Sequence, residues 1–396
     1  MLLVDHTSTV SGAEISLLDL IGGLAGEHLV TLAAPPGELA NAARSLGVAV
    51  EEIPPIEGSL RLSPRPTAAT LAAIAAAGLA IRRISRATGA DVVHANSLRA
   101  GLAASFAAAL GAPRPVVHLR DCLPPTPTAR ATQWILSRSA RAILANSAFT
   151  AACFEGAPAG AQVTVVHNPI DLERFDPARI DRAQARAELG LSPGRTVLAV
   201  VGQITPWKGQ DTAIEATRIL RERGHDIELL IAGSVKFRRP MTRYDNDAYL
   251  RALHEAVSAQ GLDNAVTFTG ETGDVPRLLR AVDCVLVPSW AEPWGRVVVE
   301  AMAMGTPVTA TNVGGTTELV EHQRNGLLVP PREPAAWADA VQRLIEDPSL
   351  RQTVIESGLL TARRFDRDRH VAEVLATYRQ PRGRPRQRRL RHNAEE

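Results

Sequence analysis

The most restrictive feature of this sequence is a recurring unit, a short unbroken apolar run followed by a longer stretch of helical character. The first series comprises Leu2 to Val4, Leu29 to Ala33, Val92 to His94, Pro115 to His118, Ala142 to Ala145 and Val163 to Val166. A run that is continuous rather than alternating suits a strand buried on both faces of a parallel sheet. The pattern lapses from Asn168 to about Gly194, where Pro169, Pro177 and Pro193 frame an Arg-rich helical stretch. It then resumes with Thr196 to Val201, Glu228 to Ala232, Val266 to Thr269, Cys284 to Pro288, Pro307 to Ala310 and Leu327 to Val329. The expected fold is therefore α/β, with two doubly wound Rossmann-like domains, 1–170 and 171–365, facing across a cleft. At 396 residues the chain has enough length for two ordinary cores.

Charge and cysteine usage narrow the class. The net charge is +2, but the segment Arg382 to Glu396 holds six arginines against two glutamates, so the rest of the chain sits near −2. A body so balanced is not a nucleic-acid-binding surface. The tail, 380–396, reads as disordered, and its basic charge suits weak peripheral contact with an anionic membrane. Cys122, Cys153 and Cys284 are an odd number at long spacings with neither a C-x-x-C pair nor a nearby histidine cluster, so they suggest neither a disulfide frame nor a zinc site, and the expectation is a reducing compartment. Met1 to Asp5 already reads as strand and turn, which leaves no room for a signal peptide and places the protein in the cytoplasm, with the inner membrane face as a peripheral option. Ala68 to Ile81 is the longest nearly uncharged apolar run. It is too short to span a bilayer and reads as a buried helix rather than a membrane-surface one.

Three segments carry chemistry. In Val200 to Asp211 a buried strand breaks at Gly202, and a helix begins near Gly209. Lys208 therefore lies at a strand-to-helix turn, beside free N–H groups and a helix dipole, where an anion such as phosphate is favoured. Only Lys208 and Lys236 are lysines in a chain whose other cations are arginines, which singles out Lys208. The plain alternative is an exposed loop lysine. In Ser289 to Gly305, Glu292 falls in a loop at the carboxyl edge of the sheet and Glu300 one turn into a helix that Gly305 terminates. Gly295 permits close backbone approach at that helix start, so nearby amides can cradle a phosphate between two carboxylates. Glu300 stands among Val297 to Val299 and Ala301 to Ala303, and a carboxylate inside such a run needs a partner. Val313 to Glu318 again puts glycines between strand and helix, a reading matched by a plain tight turn. The loop Val10 to Glu14 would project backbone N–H groups into the cleft from the other domain, but it lacks a dinucleotide fingerprint.

Taken in order, Ser11-Gly12-Ala13-Glu14, the Gly202 to Lys208 turn, the Glu292/Glu300 pair and Gly314-Gly315-Thr316 resemble the retaining GT-B glycosyltransferases of family four, over nearly the whole chain. The resemblance implies a hexosyltransferase that moves a sugar from a nucleoside diphosphate sugar, such as a UDP- or GDP-sugar, to a hydroxyl of a sugar, lipid-linked or small-molecule acceptor. It implies retention of configuration, in glycan, polysaccharide or glycolipid synthesis, with no cofactor or metal. By resemblance Lys208 binds the diphosphate, Glu292 the transferred sugar and Glu300 the ribose. The amides around Trp294, Gly295 and Arg296 meet sugar and phosphate, and Gly12 and Gln203 line the donor site. A final helix, 366–379, crosses back to the first domain. Two departures stand out. Gln203 occupies the place of the family's second diphosphate cation, so either Arg296 or an arginine of the first domain supplies that charge or donor affinity is lower. The family histidine near the transferred sugar falls on His118 or on Arg120. The two D-x-D matches, Asp245 to Asp247 and Asp366 to Asp368, lie in polar, arginine-flanked segments and read as loop or helix-start carboxylates. Rival readings within the same fold are a sugar-nucleotide epimerase or phosphorylase. A rival from another class is a non-catalytic nucleotide-sugar-binding protein.

Overall fold

The computed structural model describes residues 1–56, 64–123, 125–154, 163–238 and 244–379, so the basic tail lies outside the described residues. The first domain contains β1 (Leu2–Val4), α1 (Gly12–Leu24), β2 (Thr31–Ala34), α2 (Glu38–Ser45), β3 (Ala49–Glu52), α3 (Pro64–Ala87), β4 (Val93–Ala95), α4 (Leu98–Ala109), β5 (Val116–Leu119), α5 (Pro127–Ser139), β6 (Ala142–Ala145), α6 (Ala148–Phe154) and β7 (Val163–Val165). The second contains α7 (Arg182–Glu188), β8 (Thr196–Val201), α8 (Gln210–Glu222), β9 (Ile227–Ala232), α9 (Asn246–Ala259), β10 (Val266–Gly270), α10 (Val275–Ala281), β11 (Cys284–Val287), α11 (Arg296–Ala303), β12 (Val308–Thr311), α12 (Thr316–Leu319), β13 (Leu327–Val329), α13 (Pro334–Glu346) and α14 (Pro348–Ala362). A last helix, α15, spans Arg367–Arg379.

Both sheets are parallel, and both reverse strand order in the middle. The first runs β3-β2-β1-β4-β5-β6-β7 and the second β10-β9-β8-β11-β12-β13. Open α/β sheets bind ligands at such reversal points, outside the carboxyl ends of the strands. In the second domain that point lies between β8 and β11, the strands that deliver Lys208 and Glu292. Leu2, Leu3 and Val4 are fully buried, as are Val197 to Ala199 and Val285, because helices cover both faces of each sheet.

One side of the first sheet packs under α3, α4 and α5, with Ile74, Ala77, Ile81, Ala103, Ala104 and Leu136 in a common core. The other side packs under α1, α2 and α15, where Val371, Val374 and Tyr378 join Leu17, Leu20 and Ile21. The last helix therefore belongs by packing to the first domain. The two crossing segments run side by side, with the Ile170 amide donating to the Phe365 carbonyl at 2.8 Å and a bridge between Ile170 and Asp366.

The structure corrects two expectations. Cys122 and Cys153 form a disulfide, with Cα atoms 5.6 Å apart, joining the segment after β5 to α6. The sequence separation of 31 residues hid the pairing, because β6 and its register with β5 bring the two together. The cysteines therefore supply no argument for a reducing compartment, and only Cys284 is free and buried. The apolar stretch is not simply a buried helix. It extends to Ala87, and only 39% of its Ala68–Ala87 window is buried, because one stripe packs inward while Leu71 and Leu79 face solvent.

Candidate active site

The Lys208 turn is built by backbone geometry. Pro206 opens a single 3-10 turn, Lys208 closes it, and Gly209 sits at φ 71°, beyond which α8 begins. A Cβ on Gly209 would lie 2.2 Å from the Pro288 carbonyl oxygen, so only glycine lets the turn press against the end of β11. The Trp290 amide donates to the Trp207 carbonyl at 2.9 Å, which locks the two loops together. Lys208 Nζ then donates to Glu292 Oε2 at 2.7 Å and stands 4.5 Å from the centre of the Trp207 ring. Ser289 Oγ donates to the same carboxylate oxygen at 2.9 Å. Glu292 is 5% exposed, and two donors meet the demand that burial places on its charge.

The glycines of the third motif belong to the same construction. Gly314 and Gly315 follow β12, and a Cβ on either would strike the Glu292 or Pro293 carbonyl oxygen, at 2.2 and 2.3 Å. The Gly315 amide donates to the Glu292 carbonyl at 2.8 Å. The loop thus holds Glu292 from behind, and the tight-turn reading is complete only with this close approach. Gly295, at φ 92°, caps α11, and its Cβ position is bounded by Thr316, Val298 and Glu292. The amides that follow it face the carboxyl edge with the positive end of the helix dipole. Trp294 contributes only backbone here. Its ring is buried and packs edge-on against Phe365, with centroids 5.5 Å apart.

Glu300 has a partner, and the partner is Arg296. Arg296 Nε donates to Glu300 Oε1 at 2.6 Å, Nη2 lies 2.9 Å from Asp19 Oδ2, and Nη1 donates to Ser16 Oγ and the Pro169 carbonyl at 3.2 and 3.1 Å. Asp19 and Ser16 lie on α1, so this guanidinium clamps the two domains together. Burial opposes its charge, yet the two carboxylates raise its pKa. Arg296 is therefore not a replacement diphosphate cation, since its side chain is spent on the clamp and only its amide faces the ligand edge. Gln203 lies in the loop after β8, where its carbonyl accepts from Gln210 Nε2 at 3.0 Å, and the Lys208 stem passes over the neighbouring Gly202.

From the first domain, Ser11 and Glu14 form a capping box at the start of α1, and the Ser11 amide donates to Glu14 Oε2 at 2.9 Å. Gly12 faces open space, since a Cβ there would meet nothing within 4 Å. Burial, with the Asp5 charge beside it, pushes Glu14 up to about 7. Arg120 sits just past the end of β5, with Nε and Nη2 donating to Asn96 Oδ1 at 3.1 and 2.9 Å and Nη1 donating to Asn168. Burial pushes Arg120 down to about 10, so it stays cationic at neutral pH. Asp121 follows it and opens to solvent in the cleft, yet the protein crowding around it desolvates its carboxylate and raises its pKa. The charges of His6 and Arg99 pull it back, and that of Glu292 adds to the rise.

The expectation for His118 is corrected as well. It lies inside β5, fully buried, with ring centroids 5.6 Å from His94 and 6.1 Å from His370 of α15. Enclosed in this way it cannot touch a sugar, and Arg120 is the strand-end side chain. His94 is a packed residue of the same group, its Nδ1 2.8 Å from Tyr378 Oη. Sequence reasoning missed Asp19, Asn96 and Ser289, for which no local pattern gives a signal, and Asp121, whose place beside a strand end was the available one. Asp245 and Asp366 lie at the starts of α9 and α15, and Asp247 pairs with Arg238 at 3.0 Å.

Two family models match the chain in succession, one described as Glycosyltransferase Family 4 over residues 10–174 and one as Glycosyl transferases group 1 over 181–360. The chain belongs to the family-four GT-B glycosyltransferases. Among its curated relatives is the D-inositol 3-phosphate glycosyltransferase of Salinispora arenicola, 37% identical over 227 residues, a match to 55% of this chain and 49% of that protein. The same enzyme of Actinosynnema mirum is 37% identical over 228 residues, 56% of this chain and 52% of that protein. The chain thus spans about half the length of the curated relatives it matches. Among solved structures, Anabaena HepE in complex with UDP-glucose superposes with a TM-score of 0.81 at 26% identity, covering 95% of this chain and 99% of that one. Sucrose-phosphate synthase from Thermosynechococcus elongatus, at 21% identity and a TM-score of 0.78, covers 96% of this chain and 98% of that one and shares the fold. In this glycosyltransferase the matched core Glu292 to Glu300 is thus the segment built around Gly295 and backed by Gly314 and Gly315.

Proposed function

We propose that this glycosyltransferase moves a sugar from a nucleoside diphosphate sugar to a hydroxyl acceptor with retention of configuration. The observation that carries the reading is the pair Lys208–Glu292, held at 2.7 Å beside the α11 start at the reversal point of the second sheet. Breakage of the anomeric bond leaves negative charge on the departing diphosphate. An ammonium and oriented amides placed beforehand at that point are the arrangement that stabilises it. When donor binds, Lys208 turns from Glu292 to the diphosphate, and the freed carboxylate accepts hydrogen bonds from the sugar hydroxyls. Glu300 keeps its second oxygen for the ribose. Arg120, whose buried guanidinium is held by Asn96 and Asn168, adds a positive field from the acceptor side rather than a contact in place of the family histidine. Gly12, with open space before it, leaves room for the sugar at the first domain's loop.

HepE's complex with UDP-glucose supports testing that donor first. Incubation of the chain with UDP-glucose, and then with GDP- and ADP-sugars, should release nucleoside diphosphate only when an acceptor is present, apart from slow hydrolysis. An altered sugar nucleotide without acceptor would instead mark an epimerase, and binding with no turnover would mark a regulatory binder. The reading needs no metal, because Lys208 and the amides carry the charge. Transfer should survive EDTA, and loss that Mg or Mn restores would contradict this.

A further inference from the structure

The outer surface of α3, α4 and α5 combines two properties that a soluble surface seldom combines. Leu71 is 61% exposed, Leu79 51% and Trp134 46%, and Phe106, Leu110 and Ile135 are exposed beside them. The three helices carry no aspartate or glutamate, and Arg83, Arg86, Arg130 and Arg138 are exposed among the apolar side chains. Among the described residues none of these four arginines pairs with a carboxylate, whereas Arg182, Arg186, Arg223 and Arg277 of the second domain are each held by an aspartate or glutamate. Continuity follows from the packing. A Cβ on Gly78 of α3 would touch Phe106 of α4 at 2.8 Å, Arg82 Nε donates to the Leu110 carbonyl at 2.9 Å, and Ser139 Oγ donates to Ser105 Oγ at 2.6 Å. On α3 the exposed stripe begins at Leu71, passes Leu79 and ends in Arg83 and Arg86, which share its face at helical spacing.

We propose that this face docks the protein on the surface of an anionic phospholipid bilayer. Charge complementarity selects the partner, since a face of unpaired arginines without carboxylates is drawn to anionic headgroups. The apolar side chains select a bilayer over a nucleic acid, because leucines and an indole gain by entering the headgroup boundary and gain nothing on a phosphate backbone. Trp134, with the Arg138 guanidinium 5.4 Å from its ring centre, has the amphipathic form that suits that boundary. The helix α3 does not span the bilayer, because Ile74, Ala77, Ile81 and Ile84 hold its inner stripe in the core. The docking face is thus a part of the folded first domain and is separate from the basic tail. It stands whether or not the proposed transfer reaction does.

Co-sedimentation of the full chain with vesicles tests it, using phosphatidylcholine alone and phosphatidylcholine mixed with phosphatidylglycerol. The wild type should bind the mixed vesicles and not the neutral ones, and the chain truncated after Gln380 should bind them within about threefold of the full chain. The variant Arg83→Glu, Arg86→Glu, Arg130→Glu, Arg138→Glu should lose binding by at least about tenfold. The variant Leu71→Ser, Leu79→Ser, Trp134→Ser should lose it by at least about tenfold as well. Both should keep turnover on a soluble acceptor and an unchanged melting temperature. Binding abolished by tail truncation alone would overturn the proposal, as would binding untouched by the arginine variant. Binding that the apolar variant retains would mark a general polyanion patch and overturn it too. The truncated chain titrated with phosphatidylglycerol provides a readout that needs no substitution.

Discussion

Glu300 meets one demand in the structure and is proposed to meet a second. Its carboxylate anchors Arg296, which in turn reaches Asp19 and Ser16 of the other domain, and the ribose is assigned to the same group. Glu300→Gln keeps the shape and removes the charge. It should weaken nucleotide affinity by about 1 to 3 kcal/mol, the range for hydrogen bonds lost at a buried polar group. It should also lower the melting temperature, because Arg296 keeps one carboxylate where it had two. Isothermal titration with UDP and a thermal melt check the two parts, and unchanged affinity would remove the ribose assignment. The demand for a partner was legible from the apolar run around Glu300, and the identity of that partner was not. Arg296 lies one helical turn away, so the i to i+4 spacing contained the answer locally, whereas Asp19 is far off along the chain and only the fold brings it near.

At the scale of elements, the strands were legible because burial on both faces leaves an unbroken apolar run. β3 was missed for the converse reason. Its residues Ala49 to Glu52 form an edge strand, mostly exposed, with no apolar run to read. Boundaries moved by one or two residues, as at β2, expected from Leu29 and observed from Thr31. The loops that build the site were legible as glycine-bearing strand-to-helix turns, but their mutual contacts were not, since Gly315 meets Pro293 only through the order of β11 and β12. A consequence belongs to these loops. Gly315→Ala would force a methyl against the Pro293 carbonyl and push the Glu292 loop forward, so it should destabilise the protein by about 1 to 3 kcal/mol and reduce donor affinity at the same time. Gly12→Ala, with open space around it, should leave stability unchanged. Melting curves of the two variants, with and without UDP-glucose, separate them. The disulfide is the other long-range feature of this scale, and no spacing rule reaches across β6 to find it.

For the whole molecule, three histidines at the junction of α15 and the first sheet tie the last helix down in a neutral state. Burial, with the Arg120 charge nearby, lowers His94 and His370 to about 3, and His118 is pushed well below its usual value for the same reasons. A histidine whose folded pKa is lowered takes up a proton on unfolding. Stability is therefore intact above the unfolded value of about 6.5 and falls as pH drops from there toward 3. His94 and His370 together give a slope of up to about 3 kcal/mol per pH unit in the middle of that window, and His118 acts in the same sense. Glu14, raised to about 7, acts in the opposite sense between its unfolded value and neutrality and trims the slope. Urea denaturation at stepped pH checks the dependence, and His94→Asn should flatten it. The same helix carries the chain back across the cleft, so acid should loosen domain contact as well as stability.

The proposed chemistry depends above all on Lys208 holding the donor diphosphate, and the chain's two lysines make the comparison internal. Lys208 lies between a buried strand and a helix and pairs with a buried glutamate, whereas Lys236 pairs at 2.7 Å with the exposed Glu271. Each alanine variant removes the same charge from the chain. Loss of an ion pair to a desolvated phosphate costs about 2 to 5 kcal/mol, and loss of a rim charge much less. The decisive measurement is steady-state kinetics of Lys208→Ala and Lys236→Ala with one sugar nucleotide. Both kcat and donor affinity should fall at Lys208, because the diphosphate is charged before transfer and gains charge during it, while Lys236→Ala keeps near wild-type values. Equal losses, or a larger loss at Lys236, would contradict the diphosphate role.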